Sequence, residues 1–118
     1  MKRVKITKEQ RKILENNVIA FATTDHFCAP NVTLIKGVKV ISDNEILITD
    51  SCIKNLKESL SEDPRAALLV WQLDEKLEYQ FKGDTKFRDE ECSSIILKVV
   101  QIWDMLNLDL IAGKSNDK

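Results

Sequence analysis

The chain has 118 residues, of which 43% are hydrophobic and 31% charged, and its formal net charge is −1. That is the length of one domain with ordinary globular usage, and the near-neutral charge leaves no electrostatic footprint for nucleic acid. No apolar run reaches the roughly 20 residues of a membrane helix, and the basic start MKRVKITKEQ lacks the apolar stretch of a signal peptide. A single domain over 1–118, soluble and cytoplasmic, is therefore expected.

Thr7 opens the first element. Thr7-x-x-Gln10 is a capping-box pattern, and Ile13, Leu14 and Val18 give an apolar face, so a helix is expected from Lys8 to Asn16. VIAFATT reads as a strand rich in β-formers. DHFCAP is a turn that holds His26, the single histidine, and Cys28. NVTLIKGVKVI reads as one long strand with Val32, Leu34, Val38 and Val40 on one face, interrupted by Lys36. SDNE is a tight turn, and EILITD the next strand.

Asp50 or Ser51 can cap the short helix that follows. Its stripe is Ile53, Leu56 and Leu60, and Pro64 prevents its continuation. RAALLVWQ is apolar on both faces and is expected to be buried on both. LEYQFKGDTKF alternates, with Leu77, Tyr79, Phe81 and Phe87 against Glu78, Gln80, Lys82, Asp84 and Lys86. SSIILKVVQIWDM could form a helix face through Ile95, Val99, Ile102 and Leu106. Its density of β-branched residues after a short turn favours a strand. The end of the chain, 113–118, is expected to be a disordered tail. The sum is mainly β: six antiparallel strands and two short helices. A sheet of this size loses its edges most easily by closing into a barrel, whose apolar outer surface would be covered by the helices or by a second subunit.

Three cysteines, Cys28, Cys52 and Cys92, are widely spaced with no CxxC, so neither a disulfide framework nor a zinc site is expected; they read as buried or half-buried thiols. One histidine without a nucleophile motif gives no hydrolytic triad, and there is no GxGxxG or P-loop. Chemistry concentrates in ITDSCIKN. A strand end followed by a helix start offers unpaired N–H groups to a phosphate. Thr49 and Ser51 add hydroxyls and Lys54 a cation in what reads as the first helical turn. Asp50 would repel a phosphate unless it turns aside to cap the helix. The competing reading is an ordinary capped helix with a solvated lysine. Lys36 either snorkels to the barrel rim or pairs with an anion. Gln80 lies on the polar face of its strand, where solvent exposure is the default.

Taken in order, T-x-D, PNVT, I-L-I-T-D, the lysine at the helix start, NL…DP-R-A-A and YQFKG resemble the pyridoxamine 5'-phosphate oxidase-like FMN-binding split barrels. The resemblance runs from about Val18 to Gly83 and extends more loosely to ILKVVQIWDM. It implies a six-stranded antiparallel split barrel of Greek-key character, a homodimer with FMN at the interface, and electron or hydride transfer. On this resemblance Asn31, Val32 and Thr33 lie along the isoalloxazine ring, largely through backbone groups. Ile48, Thr49 and Asp50 lie near the flavin and ribityl chain, beside Ser51. Lys54 and Asn55 hold the phosphate, Lys36 is a basic position on the flavin-side strand, and Gln80 reaches the flavin, often from the other subunit. Relatives usually carry Gly in D-x-x-G-x-P, so Cys28 implies a turn of different shape. DLIAGKSNDK has no Arg-x-His segment, so oxidation of pyridoxamine phosphate itself is not expected. The alternatives are a non-enzymatic barrel that has lost FMN and a relative that uses a deazaflavin.

Overall fold

The structure is a computed structural model that describes residues 3–25 and 27–113. His26 and positions 114–118, most of the expected tail, lie outside the described residues.

Helix α1 spans Lys8–Asn16, as its pattern requires. The Thr7 hydroxyl accepts from the Gln10 N–H at 3.1 Å, and the Gln10 side chain accepts from the Thr7 N–H at 2.9 Å. Two donors orphaned at the helix start are thereby satisfied. Ile13 and Leu14 are buried, whereas Val18 lies beyond the helix and is exposed. The strands follow: β1 Ile19–Thr24, β2 Pro30–Ile35, β3 Lys39–Ser42, β4 Glu45–Ile48, β5 Arg65–Gln72, β6 Leu77–Phe87, β7 Ile95–Asp104 and β8 Asp109–Gly113. A 3-10 segment, Ser51–Leu56, runs directly into α2, Lys57–Glu62, between β4 and β5.

All strand pairs are antiparallel, in the order β2-β1-β5-β6-β7-β4-β3, with β8 on β7. The two end strands of this path are consecutive in sequence. Together they are the long strand expected from Asn31 to Ile41, broken at Lys36–Val38. Its first half pairs with β1 and its second with β4, so one bent segment joins both ends of the sheet and closes a six-stranded barrel. The break corrects one expectation. Gly37 takes a positive φ of 80°, and an odd residue is spent in the bend. Ile35 and Val38, three apart, both point inward with Val40. Val32 and Leu34 are instead 68% and 63% exposed on the outside. A one-residue slip in a period of two turns a strand's apolar set to the other face.

The inward side chains form one core with Phe21, Phe81, Ile35, Ile46, Ile48, Leu68, Leu97 and Ile102 at its centre. Each such side chain is worth about 1.5–3 kcal/mol of transfer free energy. β5 buries Ala66, Leu68 and Val70, but its other face, Arg65, Ala67, Leu69 and Trp71, is exposed or half-buried, so it is not covered on both sides as expected. β7 is the strand its β-branched residues favour. Its first half pairs with β4 and its second with β8, across a bulge at Val100. Gly83 sits where β6 crosses that bulge, and a Cβ there would run into the Lys98 carbonyl. β8 adds a strand to the six expected, and it includes Gly113, which was assigned to the tail. The free edge of β3 is not left bare: the Glu15 carboxylate of α1 accepts from the Val40 N–H at 2.9 Å.

The β1–β2 turn is built around Asp25. Its carboxylate accepts from the N–H groups of Phe27 and Ala29 at 2.9 and 3.0 Å, and its carbonyl accepts from the Cys28 N–H at 2.9 Å. Cys28 is exposed and adopts φ +61°, the left-handed region a glycine enters without steric cost. The side chain therefore does not abolish the left-handed conformation; the Asp25 network imposes it. Cys28→Gly should raise stability by about 1 kcal/mol, relief of left-handed strain exceeding glycine's entropy cost. That is about 4 °C in Tm for a chain of this size. Thermal unfolding followed by circular dichroism measures it, and an unchanged or lower Tm would show that the turn does not hold this conformation.

Candidate functional site

The chemistry expected of ITDSCIKN sits at one end of the barrel, where β4 hands over to the 3-10 segment and the bend between β2 and β3 comes alongside. Asp50 organises it. One carboxylate oxygen accepts from the Cys52 N–H at 3.0 Å, and the other accepts from the Lys36 N–H at 3.3 Å, across 14 residues of sequence. The Asp50 carbonyl also accepts from the Ile53 N–H at 3.1 Å. The Cys52 N–H holds the carboxyl below its ordinary pKa against the opposing effect of partial burial, and the Lys36 N–H adds to this. Asp50 is thus turned into the fold as a cap, and its charge is met by backbone donors rather than aimed at the corner.

Around it the donors are solvent-facing. Thr49, Ser51, Lys54 and Asn55 are all exposed, and among the described residues their side chains carry no hydrogen bond or ion pair. Lys36 is exposed too. It lies in the bend rather than on an apolar strand face, which corrects its expected position. Lys54 needs a second correction. The helix start is 3-10, and Lys54 lies in the last turn of that segment, not the first. A cation there meets no dipole penalty. Cys52, half-buried beneath the corner, has its thiol pushed up to about 11, by burial first and by the Asp50 charge second. It stays protonated and unreactive at neutral pH.

Of the other expected residues, Ile48 is fully buried in the core, so only its main chain faces the corner. Asn31, Val32 and Thr33 lie on β2, which pairs with β1 alone among the strands and leaves its other edge to make backbone contacts. Gln80 is not brought to this corner within one chain. It stands half-buried on the outer face of β6, in a cross-strand row that runs Leu34, Ala20, Leu69, Gln80, Trp103. Three strand spacings separate it from β2, about 14 Å.

That outer face also carries a feature unanticipated in the sequence. A depression of about 710 Å³ lies over β1, β5, β6 and β7, floored by Ala22 and Ala67 and flanked by Thr24, Arg65, Lys82 and Gln101. None of the expected site residues lines it. The Lys82 ammonium sits 5.5 Å from the centre of the Trp103 ring, and the Trp103 indole N–H donates to the Gln101 side-chain amide oxygen at 3.1 Å. At its rim Asp63 accepts from Arg65 at 2.8 Å and from the Thr24 hydroxyl at 2.9 Å. Those bonds, Arg65 first, hold its carboxyl well below the usual carboxylate range. The signal that marks this floor is the run of small residues at matching positions of β1 and β5, which strand patterning alone reads as ordinary packing. Among the described residues, no cluster of His, Cys, Asp and Glu could hold a metal ion.

No family model matches the sequence. The chain is 30% identical over 89 residues to an uncharacterized protein of Methanocaldococcus jannaschii, a match that takes in 74% of this chain and 59% of that one. It thus spans less than two thirds of that relative's length. Several solved structures share its architecture. HupZ of Group A Streptococcus superposes with a TM-score of 0.73 at 15% identity, over 93% of this chain and 99% of HupZ. A candidate pyridoxamine 5'-phosphate oxidase of Lactobacillus delbrueckii gives 0.71 at 16% identity, over 87% and 99%. An FMN-binding protein of Syntrophomonas wolfei gives 0.64 at 12% identity, over 89% and 85%. The fold is the pyridoxamine 5'-phosphate oxidase-like split barrel. At these identities the likeness carries the architecture. In this split barrel the split is the bend at Lys36–Val38, and the corner at Asp50 lies directly against it.

Proposed function

We propose that this chain is a small FMN-binding flavoprotein that takes part in electron or hydride transfer as a homodimer. The observation that carries the proposal is the state of Asp50. The Asp50 carboxylate is spent on two backbone N–H groups, while hydroxyl, amide and ammonium donors around it are exposed and unpaired among the described residues. A surplus of donors with its anion turned away suits a phosphate monoester. Lys54 and Asn55 would hold the phosphate, with Lys36, Ser51 and Thr49 around it. The edge of β2, about 20 Å long at strand spacing, would offer backbone groups of Asn31, Val32 and Thr33 to the ring. FMN supplies the redox chemistry, and the protein anchors and orients it. No side chain is assigned as an acid or base. The fold neighbours include a protein named as FMN-binding.

A deazaflavin in the same corner is the second reading, since an F420 reductase is also a fold neighbour, with a TM-score of 0.58 at 12% identity. The phosphate-holding residues would serve either cofactor.

The homodimer is supported by the outer face. Pro30, Val32 and Leu34, all exposed, continue the half-buried row of small residues Ala20, Ala22 and Ala67 into an apolar surface. Arg65, Lys82 and Asp84 add both signs of charge to it. Such a surface suits self-complementary pairing about a two-fold axis. Pairing there would let Gln80 of the partner subunit approach the flavin, which Gln80 of the same chain does not.

The protein is expected to be yellow on purification, or to take up added FMN with a flavin spectrum. Lys54→Ala should weaken FMN binding roughly tenfold to a hundredfold, the worth of a charge-assisted bond. Repeated colourless preparations that ignore FMN, or a Lys54→Ala variant within a few-fold of wild type by fluorescence titration, would contradict the assignment. Leu34→Lys should yield a folded monomer in sedimentation, because Leu34 is 63% exposed in the single chain and its replacement leaves the barrel intact. A Leu34→Lys protein that sediments as a dimer would place the subunit contact elsewhere.

A further inference from the structure

We infer that Asp50 is a positioning residue of the phosphate corner, a strap that ties the bend carrying Lys36 to the segment carrying Lys54. The inference rests on the flavin reading and assigns Asp50 a task the resemblance does not give it. The two lysines belong to separate stretches of chain. Lys36 sits in a connection with Gly37 at positive φ, next to β2, a strand paired on one side only. Ile35 and Val38 anchor its ends in the core, while the N–H of Lys36 between them is tied to Asp50. Lys54 sits on the 3-10 segment whose first N–H groups Asp50 caps. One carboxylate reaches both: the Cys52 N–H at 3.0 Å fixes the 3-10 segment, and the Lys36 N–H at 3.3 Å fixes the bend. The backbone of residue 36 is thereby held to residue 50, four positions before Lys54. A dianion between two cations gains most when neither cation's backbone must be ordered on binding.

The strap also reverses a simple electrostatic expectation. A carboxylate beside a phosphate site should weaken binding by repulsion, and its neutralisation should strengthen binding. A strap gives the opposite sign. Asp50→Asn separates the two tasks of the side chain. The amide oxygen can still accept from the Cys52 N–H and keep the cap, but the amide nitrogen is a donor and cannot accept from the Lys36 N–H.

The test uses the whole chain, with FMN, riboflavin and amide hydrogen exchange. Asp50→Asn should speed exchange of the Lys36 amide while leaving the Cys52 amide protected. It should weaken FMN about tenfold, the worth of one hydrogen bond to a charged acceptor. Riboflavin, which has no phosphate, should change less than about twofold, since it makes no use of the strapped pair. In a Lys36→Met background the same Asp50→Asn change should have little further effect on FMN, because the strap acts through Lys36. Merely structural damage would weaken both flavins and would not depend on Lys36. An Asp50→Asn protein that binds FMN as well as or better than wild type, or an effect independent of Lys36, overturns the inference. Unchanged exchange at Lys36 overturns it as well. If wild type binds riboflavin and FMN equally, the phosphate reading fails and the positioning role falls with it. If exchange at Lys36 responds as stated, the strap itself stands as a structural link, and the two failures are told apart.

Discussion

The Asp50 carboxylate accepts from two backbone N–H groups. Its two oxygens take the N–H groups of Cys52 and Lys36, one closing the start of a 3-10 segment and the other closing the bend of the barrel's long strand. The rest of the corner follows from that engagement. A carboxylate left pointing outward would cancel Lys54 and set its own charge against any anion. Turned inward, it leaves hydroxyls, an amide and ammonium groups as the chemistry the corner presents. Burial raises the thiol of Cys52, and the Asp50 charge adds to this, so a half-buried cysteine next to the site stays out of nucleophilic chemistry.

The bend that Asp50 secures is the device that makes the barrel split. Because Pro30–Ile35 pairs with β1 and Lys39–Ser42 with β4, one stretch of chain serves both ends of the sheet. The odd residue spent at the bend sets the inward side chains of the two halves out of phase. Ile35 and Val38 enter the core, while Val32 and Leu34 are left outside. The bend therefore creates, in one stroke, the corner where Lys36 meets Asp50 and the apolar outer face that continues across β1 and β5.

Much of this was legible because local chemistry dictated it. Thr7 and Gln10 announce a capping box and make one, and helix α1 has the bounds expected. The β-branched run from Ile95 to Asp104 is a strand although its spacing also fits a helix, because it lies across a short turn from β6 and pairs along its whole length. Three features were not legible. The break at Lys36–Val38 looks like one strand, since Lys and Gly are both tolerated there and alternation alone does not count the residue lost in a bend. β8 is short and follows a turn in which Leu108 is left-handed, and it gains strand character only from docking on the second half of β7. The second face of β5 is not buried within the single chain, because a run of small and apolar residues does not reveal what packs on it. At the site, the corner from Thr49 to Asn55 was readable as a stretch of sequence. That Lys36 joins it through a backbone bond, and that Gln80 stands three strand spacings from β2, about 14 Å, and away from the corner, are facts of three-dimensional register.

The most direct measurement is a crystal structure of the chain with FMN bound. The account predicts the phosphate at the corner between Lys36 and Lys54, with both oxygens of Asp50 still on the N–H groups of Cys52 and Lys36 and the ring running along the edge of β2. A phosphate seated in the depression over Ala22 and Ala67, or an Asp50 side chain swung out toward solvent in the complex, would contradict it.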